Sequence, residues 1–383
     1  MTEPTTTASA RLRAEFTARL GAEIQSEWLT AFAEVRREHY VPSFYRQDVQ
    51  NEWEMVSAGD PGYLEAVYSD AALTTQLDEH GIPTSSSSEP RLMLTTLDAL
   101  DAKPGHRLYE LGLGTGYNAA LASSRLGSEN VVSVDVDPDL VRLARSRLAG
   151  GRYHPLVFAG DGEQGYPDRA PYDRIISTAG LHHIPPALLS QARKGTVIVG
   201  PIGFGIARAV VSGDGEATGR FLPVPAFFMP RRTLTKAPDF ASLETRTGRP
   251  TTVPATDVLD RLKFPLSLAL PGYNSCNWQN KAGEVTGIGL WTGDGSTATV
   301  HASGKARQLG PQRLWDTVEE LAATFPEETP AREDFGLTIT PEGQHAWYRN
   351  PEGPSWPLPS WVNEPAPMSG RRRLPPNGKT LSS

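Results

Sequence analysis

Leu108-Tyr109-Glu110-Leu111-Gly112-Leu113-Gly114-Thr115-Gly116-Tyr117 is the stretch on which the fold turns. Its first half reads as a short strand with an acid near its end. Glycines then alternate into the start of a helix. Glycine lets the backbone turn tightly and approach a ligand with no Cβ in the way. A bare Gly-x-Gly serves nucleotide-binding folds of several chemistries, and Gly112, Gly114 and Gly116 also suit a plain strand-to-helix turn. Glu110 discriminates between ligands. A pyrophosphate disfavours a carboxylate placed just before the loop, whereas a cationic amino-acid ligand tolerates or favours it.

Downstream of this stretch the chain alternates strands and helices. Strands are predicted at Arg107–Leu111, Val131–Val136, Pro155–Ala159, Arg174–Ser177 and Thr196–Gly200. Between the second and third lies a helix capped by Asp137, with Pro138 in its first turn and Gly150-Gly151 at its end. Leu140, Ala144 and Leu148 share one face of it. Such alternation implies a mainly parallel sheet covered on both sides, a Rossmann-like α/β fold. Asp135, ending the second strand, is placed to accept hydrogen bonds from both hydroxyls of a ribose; a surface carboxylate is the plain alternative. Asp161 and Gly162, after the third strand, are placed to meet an adenine edge, or form only a turn.

Upstream, Pro83 to Ser88 reads as a serine-rich loop, with a helix starting at Glu89 and Ser88 as its N-cap. Leu12, Phe16 and Leu20, then Trp28, Phe32 and Val35, repeat at helical spacing, so Arg11 to about Arg37 is predicted helical. Residues 1–10 are predicted disordered, 11–84 an N-terminal helical region, and 85–235 the Rossmann-like domain. Beyond Pro250 the texture changes. Short strands at Phe264–Leu270, Gly287–Trp291 and Ala298–Ala302, a turn at Gly293-Asp294-Gly295 and a helix over Arg313–Thr324 predict a separate α+β region at 250–361. Residues 362–383, with Arg371-Arg372-Arg373, read as a flexible tail.

Composition narrows the function classes. A net charge of −7 argues against a nucleic-acid partner, since phosphate binding normally shows as a basic surface. Cys276 is the single cysteine, so no intrachain disulfide forms, as in a reducing cytoplasm. No apolar run approaches membrane-spanning length and Met1 to Ala10 lacks a signal-peptide pattern, so a soluble cytoplasmic protein with no membrane partner is expected. No metal-ligand cluster is recognisable. The paired His182-His183 is read as a loop or surface feature.

Residues 37–205 resemble the protein-L-isoaspartate O-methyltransferases. The pieces that carry the likeness are Arg37-Glu38-His39-Tyr40-Val41-Pro42, Ser88-Glu89-Pro90, Glu110 to Tyr117, Gly160-Asp161-Gly162, Ala170 to Ile176 and Ile184-Pro185. Further features resemble a variant group that works in peptide maturation beside ATP-grasp ligases. They are Thr74-Thr75-Gln76-Leu77, the Pro83 to Ser88 run, Asn118-Ala119-Ala120-Leu121, Asp135-Val136-Asp137-Pro138, Arg313-Leu314-Trp315-Asp316 and Phe335-Gly336-Leu337-Thr338. The resemblance implies S-adenosyl-L-methionine as cofactor, held by Glu110, Gly112, Gly114, Gly116, Asp135, Asp161 and Gly162. It places Ser88 and Ser86 beside the substrate. Glu89 departs from the family's Ser-Gln-Pro, which puts an acid where an amide is usual.

The implied reaction is esterification of an aspartate side chain in a macrocyclised ribosomal precursor peptide, whose ester then closes to an aspartimide. Transfer of a methyl from a sulfonium to a carboxylate needs no general base, because that carboxylate, with a pKa near ~3.9, is already ionised. This agrees with a sequence that has no evident nucleophile–base pair. Three other readings compete: repair of isoaspartyl damage, a peptide-binding maturation partner without turnover, and an NAD-dependent oxidoreductase. The added C-terminal region weighs against repair, whose enzymes are expected to be compact. The oligomeric state is left open.

Overall fold

The computed structural model describes residues 3–226, 228, 237–301 and 304–359. The chain opens with helices α1 (Glu3–Glu23), α2 (Leu29–Glu34) and α3 (Arg37–Tyr40), so the predicted helical region is broken in two places. Helix α1 begins at Glu3, inside the segment predicted disordered. Ser9 is buried there and its Oγ donates to Glu38 Oε1 at 2.6 Å, which ties the start of the chain to α3.

Two hairpins follow: β1 (Ser43–Gln47) with β2 (Trp53–Ser57), then, after α4 (Tyr63–Val67), β3 (Leu73–Leu77) with β4 (Pro83–Ser87). They form one antiparallel sheet in the order β2-β1-β3-β4. The serine-rich run is therefore a strand, not a loop. Its intrinsic propensity is poor, and pairing with β3 decides the outcome. Helix α5 (Pro90–Ala99) starts one residue later than predicted. Its N-cap is Glu89, and no side chain caps it.

The central sheet comprises β5 (Leu108–Leu111), β6 (Val131–Asp135), β7 (Leu156–Ala159), β8 (Tyr172–Ser177), β9 (Ala192–Ile202), β10 (Gly205–Gly213) and β11 (Glu216–Pro225), with α6 (Tyr117–Leu126) and α7 (Pro138–Gly150) as crossovers and α8 (Pro186–Ser190) before β9. Strands β7-β6-β5-β8-β9 are parallel, and β9-β10-β11 is an antiparallel meander. The order reverses at β5, which has β6 on one side and β8 on the other. Ligands of open α/β sheets bind at that kind of switch point, outside the carboxyl ends of the strands. Asp137 caps α7 as predicted, accepting from the N–H groups of Asp139 and Leu140.

The C-terminal region is not separate. Strands β12 (Arg249–Pro250), β13 (Asn274–Gln279), β14 (Val285–Trp291), β15 (Thr297–His301) and β16 (Lys305–Leu309) make their own antiparallel sheet. Strands β17 (Phe335–Thr340), β18 (Gly343–Tyr348) and β19 (Ser355–Pro357), however, return to the central sheet, with β17 pairing antiparallel to β11. The finished sheet runs β19-β18-β17-β11-β10-β9-β8-β5-β6-β7. Lys263–Ala269, predicted as part of a strand, is a helix with Pro265 in its first turn. It is buried nearly all round, so its apolar run carries no 3.6-residue period to read. The predicted tail lies outside the described residues.

Each face of the central sheet has its own cover. Leu108, Val131, Ile176 and Val199 pack with Phe16, Trp28 and Phe32 of the N-terminal helices. Tyr109, Val132, Ile175 and Ile198, their neighbours in sequence, pack with Leu262, Leu266, Ile288 and Trp315 of the C-terminal region. A parallel sheet is stable only when both faces are dry. Here the second face is closed by chain that lies more than fifty residues downstream of the last parallel strand.

Candidate active site

A cleft of about 1470 Å³ opens at the carboxyl ends of β5 and β6 and runs to strand β4. Gly112, Gly114, Asp135, Asp161, Gly162, Ser86 and Ser88 all line it. Glu110 and Gly116, both expected at the cofactor, do not line it and stand behind the turn.

Gly112 N and Leu113 N donate to Val134 O, each at 2.9 Å, which pins the turn to β6. Gly112 has φ +100°, and a Cβ there would lie 2.4 Å from Thr178 Oγ1. No other residue fits that turn without displacing the end of β8. Gly116 has φ +86°, and its Cβ would lie 3.1 Å from the Cβ of Ala144. Its role is close approach of α6 to α7.

Asp135 Oδ2 accepts from Gly114 N at 2.8 Å, and Oδ1 accepts from Asp137 N at 3.1 Å. The carboxylate is thereby held at the mouth of the glycine turn, half-exposed, with further lone pairs free to meet a diol. Asp161 is exposed at the far end, where its Oδ1 accepts from Glu163 N at 3.0 Å. Tyr109, buried beneath, donates from its hydroxyl to Gly162 O at 2.8 Å and fixes that turn.

Glu110 is wholly buried. Its Oε1 accepts from Asn118 Nδ2 at 2.5 Å and its Oε2 from Ser133 Oγ at 2.5 Å. Burial raises its pKa to about 7, against the opposing pull of those two donors and with a further push from Asp135. The acid that distinguishes the loop in the sequence acts from behind it.

Ser85 and Ser87 are buried while Thr84 and Ser86 are half-buried, the alternation expected of a strand. Continuing that alternation places Ser88 on the side of Ser86. Ser88 is not a helix cap, since the N-cap position belongs to Glu89. Ser85 Oγ and Ser86 O stand 3.7 and 3.8 Å from where a Cβ of Gly114 would be, so this strand and the glycine turn face each other across the cleft. Glu89 also lines the cleft, and desolvation followed by the charge of Asp70 raises its pKa.

In the sequence Arg37 stands out only as the first residue of the Arg37–Pro42 motif. It is fully buried. Its guanidinium donates to Val67 O at 2.9 Å, Ser69 O at 3.2 Å, Ala71 O at 3.1 Å, Ser87 O at 3.2 Å and Ser88 O at 3.1 Å. Burial lowers its pKa to about 10, so it stays charged at neutral pH. Gln76 bridges the hairpin to the cofactor side, donating to Asp137 Oδ2 at 3.1 Å and accepting from Thr84 Oγ1 at 2.8 Å. His182 and His183, read as a loop or surface pair, also line the cleft, and His183 is buried. A Cβ on Gly272, in the turn before β13, would lie 3.0 Å from His182 Cε1, so the C-terminal region braces this wall. No spacing in the sequence signals that contact. Among the described residues, no group of three His, Cys, Asp or Glu side chains could hold a metal ion, and no helix is long and apolar enough to cross a membrane.

The features of the cleft fit S-adenosylmethionine. Gly114 opens the turn to the cleft with no side chain, Asp135 keeps acceptor capacity beside it, and the exposed Asp161 lines the same cleft. Together with a parallel sheet that reverses at β5, this is the fold and cleft of an S-adenosylmethionine-dependent methyltransferase. Residues 18–219 match the family model described as protein-L-isoaspartate(D-aspartate) O-methyltransferase, and the chain belongs to that family.

Among curated relatives, the protein-L-isoaspartate O-methyltransferase of Methanopyrus kandleri is 39% identical over 119 residues, covering 30% of this chain and 53% of that protein. The one from Ignicoccus hospitalis is 34% identical over 144 residues, covering 36% of this chain and 68% of that protein. The chain thus spans about half to two thirds of the length of these relatives. A solved protein-L-isoaspartate O-methyltransferase superposes with a TM-score of 0.52 at 19% identity, covering 88% of this chain and 100% of that one. Coverage of that extent reaches well beyond the family match, so an added C-terminal region does not separate this chain in fold from proteins of that name.

Proposed function

We propose that the protein transfers the methyl group of S-adenosylmethionine to an aspartate-derived carboxylate carried by a peptide. The observation that supports this is one cleft lined both by the glycine turn and Asp135 and by Ser86 and Ser88 of the strand opposite. When bound, the cofactor supplies an electrophilic methyl on a sulfonium. The work left to the chain is to hold and align. Asp135 and the glycine turn fix one reactant. Strand β4, clamped by Arg37, presents Ser86 and Ser88 hydroxyls to orient the other. The substrate carboxylate, ionised at neutral pH, attacks through oxygen as the carbon–sulfur bond breaks, giving a methyl ester and S-adenosylhomocysteine.

Family membership and the names of the curated relatives favour an isoaspartyl residue as the carboxylate donor, the repair reading. A second reading has its own observation: Glu89 puts a desolvated acid beside the substrate strand where the family pattern has an amide. That departure, with the features resembling the peptide-maturation group, supports an aspartate in a macrocyclised ribosomal peptide. There the ester carbonyl is attacked by the next backbone nitrogen, methanol leaves, and an aspartimide remains.

Mass spectrometry separates the two. Isoaspartyl peptides of unrelated sequence should gain one methylene under the repair reading, and their aspartyl counterparts should not. Under the second reading a macrocyclic precursor should gain one methylene and then show a net loss of one water. Absence of methylation in every peptide, with S-adenosylhomocysteine still bound, would remove both.

A further inference from the structure

We propose that Gln344, which lies in the C-terminal region and does not line the cleft, is a positioning residue for the nucleoside end of the cofactor site and acts through the short helix α8. This rests on the S-adenosylmethionine reading above and adds to it a residue that does not touch the ligand.

Gln344 sits on β18 and is buried. Its amide grips one residue of the segment before α8 at both ends. Oε1 accepts from Ile184 N at 2.9 Å, and Nε2 donates to Ile184 O at 2.6 Å. A neutral amide presents an acceptor and a donor side by side, as the backbone of a neighbouring strand would. Ile184 is buried too, so its N–H and carbonyl need partners. Drawing both from β18 ties this segment to the C-terminal region. Pro185 and Pro186 follow, and their rings fix φ, which leaves little slack between the clamp and the first turn of α8. Pro185, Pro186 and Ala187 line the cleft.

The other end of α8 carries a second clamp of the same kind. Gln191 is its C-cap and is buried. Its Nε2 donates to Gln164 O at 2.8 Å, and its Oε1 accepts from Tyr166 N at 2.7 Å. Gln164 ends the turn that carries Asp161 and Gly162 at the cleft, where the cofactor reading puts adenine. Helix α8 is thus a short bar between two amides. One is anchored on β18 and the other holds the Asp161 turn. Through this bar the C-terminal region sets where the nucleoside end of the cleft stands.

The experiment measures S-adenosylhomocysteine and 5′-methylthioadenosine, the same nucleoside thioether without the amino-acid chain, by calorimetry. Gln344→Met keeps the length of the side chain and removes both hydrogen bonds. It should weaken both ligands by the same factor, about 3- to 10-fold, the size expected when coupling is carried through a network. Gln191→Met should weaken both as well. In the double variant the Gln344 change should add nothing, because the bar has already lost its hold on the turn. Merely structural damage would instead add its full factor in either background. Gln344→Leu replaces the first variant if methionine prevents folding, with thermal unfolding as the check. Unchanged affinity in Gln344→Met overturns the assignment. So does a loss confined to S-adenosylhomocysteine, or a Gln344 effect that persists in full beside Gln191→Met. Failure of the wild type to bind either ligand would instead sink the cofactor reading itself.

Discussion

Replacing Glu110 by glutamine in the cofactor-free protein should make it more stable at alkaline pH. Glu110 is buried, and its carboxyl titrates near 7 rather than at the ordinary 4.5. An acid whose pKa is raised on folding holds its proton more tightly in the native state. Stability is therefore greatest below the unfolded value and is lost as pH rises through the folded one. At about 1.4 kcal/mol per pH unit, the burden of the ionised form reaches about 3 kcal/mol above pH 8. Glutamine is neutral throughout and keeps the geometry: its oxygen accepts from Asn118, and Ser133 turns its hydroxyl to accept from the new NH2. The variant should match wild type below about pH 4, gain on it as pH rises from about 4.5 to 7, and hold that advantage, several degrees in Tm, above pH 8. Other titrating groups are common to both proteins and drop out of the difference, apart from Asp135, whose charge acts on Glu110 directly. A difference that is flat with pH, or a variant less stable at pH 8, would refute the reasoning.

Three further changes test the architecture of the cleft. Arg37→Lys strips donors from backbone carbonyls of the 67–71 segment and of Ser87 and Ser88; it should cost about 3 kcal/mol in chemical unfolding and raise KM for the peptide while leaving S-adenosylhomocysteine affinity within about twofold. Asp135→Asn should cost about 2–4 kcal/mol of cofactor affinity by calorimetry, because the ribose contact is lost while Gly114 N still finds an acceptor. Gln76→Leu cuts the link between Thr84 and Asp137; about 1 kcal/mol of coupling between peptide and cofactor binding should disappear, measured as the ratio of peptide Kd with and without S-adenosylhomocysteine. Deleting residues 250–359 should abolish folding instead of yielding a compact catalytic domain, since the cover of one sheet face goes with it; a monomeric, cooperatively unfolding truncation would contradict that.

Much of this molecule was legible in its sequence because the signals are local. Asp137 before Pro138 caps α7, the glycines turn off β5, and Asp135 ends β6, all by rules that reach only a few residues along the chain. The positions of Gly112, Gly114, Asp135, Asp161, Ser86 and Ser88 around one cleft followed from strand–helix alternation and from the family's motifs. What failed was whatever depended on neighbours remote in sequence. The serine run became a strand because β3 lies beside it and Arg37, some fifty residues earlier, binds its end. The Phe264–Leu270 run became a helix buried on nearly every side, between the central sheet and the neighbouring helices of the C-terminal region, which erases its period. Glu110 turns to Asn118 and Ser133, and the loop that carries His182 and His183 lies against the cleft, because side-chain direction there is set by packing. Most of all, β17 to β19 joined the central sheet through β11, and the C-terminal residues closed its second face. No spacing within a segment records that partnership, since hydrophobic burial is non-directional and only the folded chain decides which apolar surfaces meet.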